Sequence, residues 1–335
     1  MESVDYEHRA IIPERQSADT GCEGRGQLSV ERFLLPALMM MLIPAETRAD
    51  NRTSLASLEA LRSPLPASLA QVLRTPATAW RSPLLEVFRW DLFPDILVVD
   101  TISLALQDRI FTRLAYFVEK KGFRGKLLTN AQLAGRHGWN AHDYGPDALA
   151  AFYNTASDWW FPLNPEEYAM EELALREGIL VHDGEHVAPG MGGVLSLTRS
   201  SSEIERRYLL THESFHGIFF SSPEYRQFCF GVWDSLPPSE RGFYRSFLAS
   251  LGYDSDQRFL AVNEFQAYLM QQPLEYAASF FERFLSRFEE PGAQVPVAAT
   301  GLVATAKELN GFLQLHFGVR AGRTVRAVGQ GVQGQ

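Results

Sequence analysis

His212, Glu213 and His216 form an H-E-x-x-H pattern inside an apolar, helix-periodic run, Thr211-His-Glu-Ser-Phe-His-Gly217. Histidines four apart on a helix share one face, one turn above the other. Two neutral imidazoles so placed can take two corners of a zinc tetrahedron. Glu213 follows the first histidine and points to the side, where it can reach a metal-activated water without ligating the metal. That is the placement of a general base in zinc-dependent hydrolysis. The same residues admit a plainer reading: a pair of core histidines hydrogen-bonded to backbone or carboxylates, in a structural protein without a metal.

A third ligand would separate the two readings. Residues 258–270 read as a second helix, with Phe259, Val262, Phe265 and Leu269 as its apolar stripe. Glu264 lies in this apolar stretch, where an unpaired carboxylate would be costly. H-E-x-x-H followed by Asn263-Glu264-Phe265-Gln266-Ala267 resembles the gluzincin branch of the zincin metallopeptidases. The resemblance covers roughly residues 194–272. It implies one zinc ion held by His212, His216 and Glu264, with Glu213 as the base. The chain departs from the thermolysin-like members in two ways. His216 and Glu264 stand farther apart in sequence, and Tyr268 occupies the place where those members carry an aspartate that orients a ligand histidine. Tyr268 and His316 are candidates to stabilise the tetrahedral oxyanion, since zinc peptidases use a late His or Tyr for this.

The elements that must position these groups are partly legible. Ser200-Ser-Ser-Glu203 offers a helix start with a capping box. Ile204, Tyr208, Phe215 and Phe219 fall on helical spacing around His212, and residues 215–220 are apolar nearly all round, as in a buried helix. Upstream, Gly190-Met-Gly-Gly193 reads as a turn and Val194–Thr198 as a strand. The resemblance makes that strand the sheet edge that pairs with an extended peptide, while an ordinary core strand fits the residues equally well. Residues 179–187 read as a hairpin turning on Asp183-Gly184. The expected architecture is α+β and mostly helical, a zincin-like catalytic domain with a small mixed sheet beside the metal-binding helix. Its parts are a leader over 1–49, a mainly helical region over 50–178, the catalytic region over 179–320 and a disordered tail over 321–335.

Composition excludes some functions. A hydrophobic fraction of 46% can fill a sizeable core, and a net charge of −9 without a basic run argues against nucleic acid as a partner. No apolar run is long enough for an integral membrane span. The run Phe33–Ile43 instead has the length of a signal-peptide core, followed by Thr47-Arg48-Ala49 as a cleavage site; translation would then start near Val30. Export to the periplasm or beyond is the expectation, with a cytoplasmic chain as the alternative. After cleavage Cys229 would be the single cysteine, in an apolar setting that suits packing and not nucleophilic attack. His137, His142 and Asp143, in a loop rich in Gly and aromatics, could line a substrate pocket, supply a second metal site or form a structural turn. The functional expectation is peptide-bond hydrolysis of a peptide or protein substrate by a zinc-activated water. The alternative is a zincin-fold protein that keeps the metal but acts as a binding module or cleaves a non-peptide amide.

Overall fold

Leu85-Glu-Val-Phe-Arg-Trp90 and Ile96-Leu-Val-Val-Asp-Thr101 are rich in β-branched and aromatic residues and are buried on both faces, as covered strands are. They form β2 (Leu85–Trp90) and β3 (Ile96–Thr101) of a five-stranded mixed sheet. β1 (Leu65–Ala67), β4 (Ala141–Tyr144) and β7 (Gly193–Thr198) complete it in the order β1-β2-β3-β7-β4. β1 runs parallel to β2 and β3 parallel to β7; the β2–β3 and β7–β4 pairs are antiparallel. A separate two-stranded hairpin joins β5 (Leu180–Asp183) to β6 (His186–Pro189), with Gly184 at positive φ in the turn. This computed structural model describes residues 63–285 and 299–325 together with Leu61, all within one unit of residues 51–335.

The sheet separates two layers. Leu97 and Val99 of β3, Val87 of β2 and Val194 of β7 point into a core with helices α2 (Leu104–Val118), α4 (Pro146–Asp158) and α5 (Pro165–Arg176). The opposite face, with Ile96 and Leu195, carries α6 (Glu203–Ser221), the helix that bears the H-E-x-x-H residues. Gly217 allows this contact: a Cβ there would stand 3.3 Å from the Ile96 side chain and 3.4 Å from that of Leu195. Behind α6 pack α7 (Pro223–Ser235), α8 (Pro238–Ser250), α9 (Arg258–Met270), α10 (Ala277–Leu285) and α11 (Ala299–Phe317). Two short helices, α1 (Leu69–Arg74) and α3 (Asn130–Leu133), lie in the first half of the chain. Among the described residues no helix is long and apolar enough to cross a membrane.

The start of α6 is fixed by local chemistry and one buried ion network. Ser202 is the N-cap, its hydroxyl accepting from the Glu205 N–H while the Glu205 carboxylate accepts from the Ser202 N–H. Arg206, one turn in, donates to both oxygens of Asp100 in β3, each at 2.8 Å. Arg199 donates to the same carboxylate at 2.7 Å. The first turn of the helix is thereby pinned to the middle of the sheet.

The α+β, mostly helical architecture with a small mixed sheet is observed, and several particulars differ from the sequence reading. The capping box uses Ser202 and Glu205, two residues beyond Ser200 and Glu203. Ile204 is exposed and takes no part in the apolar face. The region 50–178 holds four of the sheet's five strands, and β7 inserts between β3 and β4, so the sheet crosses the expected boundary at 178/179. Residues 95–121 read from sequence as one apolar, helix-forming run closed by Gly122; the run begins instead as strand β3 and becomes helical only after Ser103 caps α2. Its residues Ile96, Val98 and Val99 are β-branched and suit a pleated, buried strand. The strand Val194–Thr198 is interior to the sheet, bonded to β3 on one side and β4 on the other; β4 is the edge. In the tail, residues 321–325 are packed: the Ala321 N–H donates to Asn310 and the Gly322 N–H to the Met270 carbonyl. Residues 1–60, with the proposed signal sequence, and 326–335 lie outside the described residues.

Candidate metal centre

The i, i+4 spacing on α6 brings the two histidine Nε2 atoms to 3.0 Å from each other. The Oε2 atom of Glu264, carried in by α9, lies 3.6 Å from the His212 Nε2 and 3.8 Å from the His216 Nε2. All three side chains are buried. Zinc–nitrogen and zinc–oxygen bonds of about 2.0–2.2 Å at tetrahedral angles separate neighbouring ligand atoms by roughly 3.3 Å. The observed separations bracket that edge, and the three residues form a group able to hold one ion.

The hydrogen bonds constrain how the two histidine rings are protonated. His212 Nδ1 lies 2.8 Å from Gln271 Oε1, an acceptor, so this nitrogen carries the ring proton and donates. His212 Nε2 is then a bare lone pair. His216 Nδ1 faces Asp143 Oδ2 at 3.6 Å, beyond hydrogen-bond distance, and has no hydrogen-bond partner among the described residues. The two Nε2 atoms lie within hydrogen-bond distance of each other, and Glu264 Oε2 faces both. Glu264 Oε2 has no hydrogen-bond partner among the described residues. A buried carboxylate oxygen left in this way is costly unless a donor or a cation completes it. Neutral imidazoles are available, since burial pulls both His212 and His216 down to about 4.

Glu213 sits beside the triad and is not part of it. Its Oε2 is buried and has no partner. It groups with Asp143 and His216 in a second constellation of potential ligands. Burial first, then Asp143, Glu264 and Glu119, push the Glu213 carboxyl well above the ordinary range. Burial likewise raises Glu264 to about 8 and Asp143 to about 6. A divalent cation on the triad opposes all three shifts, because positive charge favours the ionised carboxylate.

Around the ligands lies a shell that the sequence reading only partly located. Asp143, at the edge strand β4, accepts from Asn263 Nδ2 at 3.2 Å and faces His216. Of the loop residues His137, His142 and Asp143, it is Asp143 that faces the candidate ligands, in a second grouping with Glu213 and His216. Gln271 stands two turns after Glu264 on α9, a spacing that could have flagged it. The Tyr253 hydroxyl bonds both the Glu264 carboxylate and Tyr268. Tyr268 stacks edge-on against His212 with ring centroids 4.6 Å apart, so it is at the site as expected. His316 is not brought there: it is exposed on α11 and stacks on Phe312 at 4.1 Å. His142 points away from the triad, its Nδ1 3.1 Å from the Tyr144 hydroxyl. His137 pairs with Asp108 on the surface.

Partners of metal ligands tune affinity by about 10–100-fold. Tyr253→Phe and Gln271→Leu should each weaken metal binding by about that factor without unfolding the metal-free protein. Competition against a chelator, with thermal melting of the metal-free forms alongside, reads both.

Comparison with protein-family models, with curated proteins and with solved structures finds no match for this chain.

Proposed function

We propose that this protein is a zinc-dependent peptidase of gluzincin type. The reading rests on the convergence of His212 Nε2, His216 Nε2 and Glu264 Oε2, three buried potential ligand atoms within 3.8 Å of one another. A bound zinc ion supplies Lewis acidity, acidifying water and polarising a carbonyl. The chain's own residues do the rest. His212, His216 and Glu264 hold the ion, and Gln271, bonded to His212 Nδ1, orients that ring. Glu213 takes a proton from the attacking water and passes it to the leaving amine. Tyr268, packed on His212, is the remaining candidate for the oxyanion, since His316 lies elsewhere. An extended substrate would lie along β4, the strand at the sheet edge beside α6.

Enclosure favours one variant of this reading, the hydrolysis of a small amide. His212, Glu213, His216 and Glu264 are at most 7% exposed, which admits a small molecule or a chain end more readily than the middle of a folded polypeptide.

Purified protein should carry about one zinc per chain, and His212→Ala should carry almost none. Elemental analysis of both decides the matter. Equal zinc in the two proteins would remove His212 from the site. Two ions per chain would instead bring in the second grouping of Asp143, Glu213 and His216.

A further inference from the structure

One wall of the metal centre is built from two distant segments. The Lys120 backbone forms an antiparallel bridge with Tyr253, and the Asp254 N–H donates to the Glu119 carbonyl. This pairing sets four side chains against the site: Glu119, Lys120, Trp139 and Tyr253. The Trp139 ring stacks on Tyr253 with centroids 5.6 Å apart, and its Nε1 donates to Glu119 at 2.9 Å. The ammonium of Lys120 lies over the same indole, 3.3 Å from the ring centroid.

The hydrogen-bond inventory of this wall is uneven. Glu119 is satisfied by Trp139 and by the Tyr144 hydroxyl. Asp143 accepts from Asn263, and Glu264 from Tyr253. Lys120 has three donors, and among the described residues no carboxylate comes within ion-pair distance and no acceptor within hydrogen-bond distance. It is nevertheless partly withdrawn from water: burial pulls it down to about 8, while Glu119 and Glu264 act to hold it up. Its one close partner is the indole face, and a carboxylate from a ligand would add the charge-assisted hydrogen bond it lacks.

We infer that Lys120 receives the free carboxylate of short peptides and N-acyl amino acids, so that the enzyme removes a C-terminal residue. This rests on the hydrolase reading above and names its substrate class. The enclosed site agrees with it, since the end of a chain enters where its middle would not. In the reaction the acyl C–N bond breaks. Water adds its hydroxyl to the acyl carbon, and Glu213 carries its proton to the released amine. The departing amino acid keeps its carboxylate on Lys120.

The test uses the zinc-loaded full-length Glu213→Gln protein and mixed N-acetyl dipeptides, supplied as free acids and as matched C-terminal amides. Equilibrium dialysis with mass spectrometry should show retention of acids over amides by about tenfold or more. Adding Lys120→Met should abolish that preference at unchanged zinc content, and Lys120→Arg should keep most of it. Equal retention of acids and amides, retention of neither, or a preference that survives Lys120→Met would overturn the inference. The protein with Glu213 intact is then given the same pairs. If it cleaves neither while the Lys120-dependent preference stands, hydrolysis fails as a reading and the carboxylate site remains.

Discussion

Glu213→Gln should abolish hydrolysis while leaving zinc in place. The side chain is buried, its Oε2 has no partner, and it lies beside the triad without belonging to it. An amide of the same shape keeps the packing but cannot accept a proton from water. Loss of a general base costs about 10²–10⁴ in rate, and the effect should fall on kcat with little change in KM. The substitution also removes one of four crowded carboxylates, Glu119, Asp143, Glu213 and Glu264, that raise each other's pKa. The metal-free Gln variant should therefore be at least as stable as the metal-free parent at neutral pH. Turnover, zinc content and thermal melting are measured on the same samples. Retained turnover would strike Glu213 from the mechanism, and loss of zinc would make it a ligand.

Asp100→Ala should be among the most destabilising single substitutions in the chain, although it is far from the metal ligands in sequence. Asp100 is fully buried in β3 and accepts from Arg206 and Arg199. Removing it leaves Arg206, itself buried, as an unpaired charge in the core. Breaking a buried pair in this way costs about 3–5 kcal/mol. For a chain of this size that corresponds to roughly 10 °C in Tm. Because Arg206 is in the first turns of α6, the loss loosens the helix that carries His212 and His216, and metal affinity should fall with stability. Asp100→Leu combined with Arg206→Met replaces the pair by apolar groups and should cost much less. If the single and double variants melt alike, the ion pair is not what pins the helix.

Some of this was local and therefore readable. Histidines at i and i+4 share a helix face wherever the helix packs, so His212 and His216 meet by geometry alone. Glu213, next to one of them, is carried to the same neighbourhood. The hairpin around Gly184 was legible for the same reason, since turn signals act within a few residues. The burial of Glu264 was legible from the apolar stretch around it, although its meeting with the histidines depends on how α9 packs against α6.

The remainder was decided by sheet order and packing, which short-range patterns do not encode. The apolar run from Asp95 suits a buried strand or a helix, and only pairing with β2 and β7 made it β3. Val194–Thr198 became an interior strand because β4 added outside it, and that addition carried Asp143 to His216. Tyr253, Lys120 and Glu119 reached the site through a backbone bridge between segments 133 positions apart (253 − 120), with no motif to announce it. His316 has the residue type of an oxyanion donor, yet α11 turns it onto Phe312 at the surface. Residue types and helical spacing chose the ligand chemistry; the pairing of distant strands and helices chose which polar groups surround it, because those contacts exist only once the sheet is closed by β4 and backed by α6 and α9.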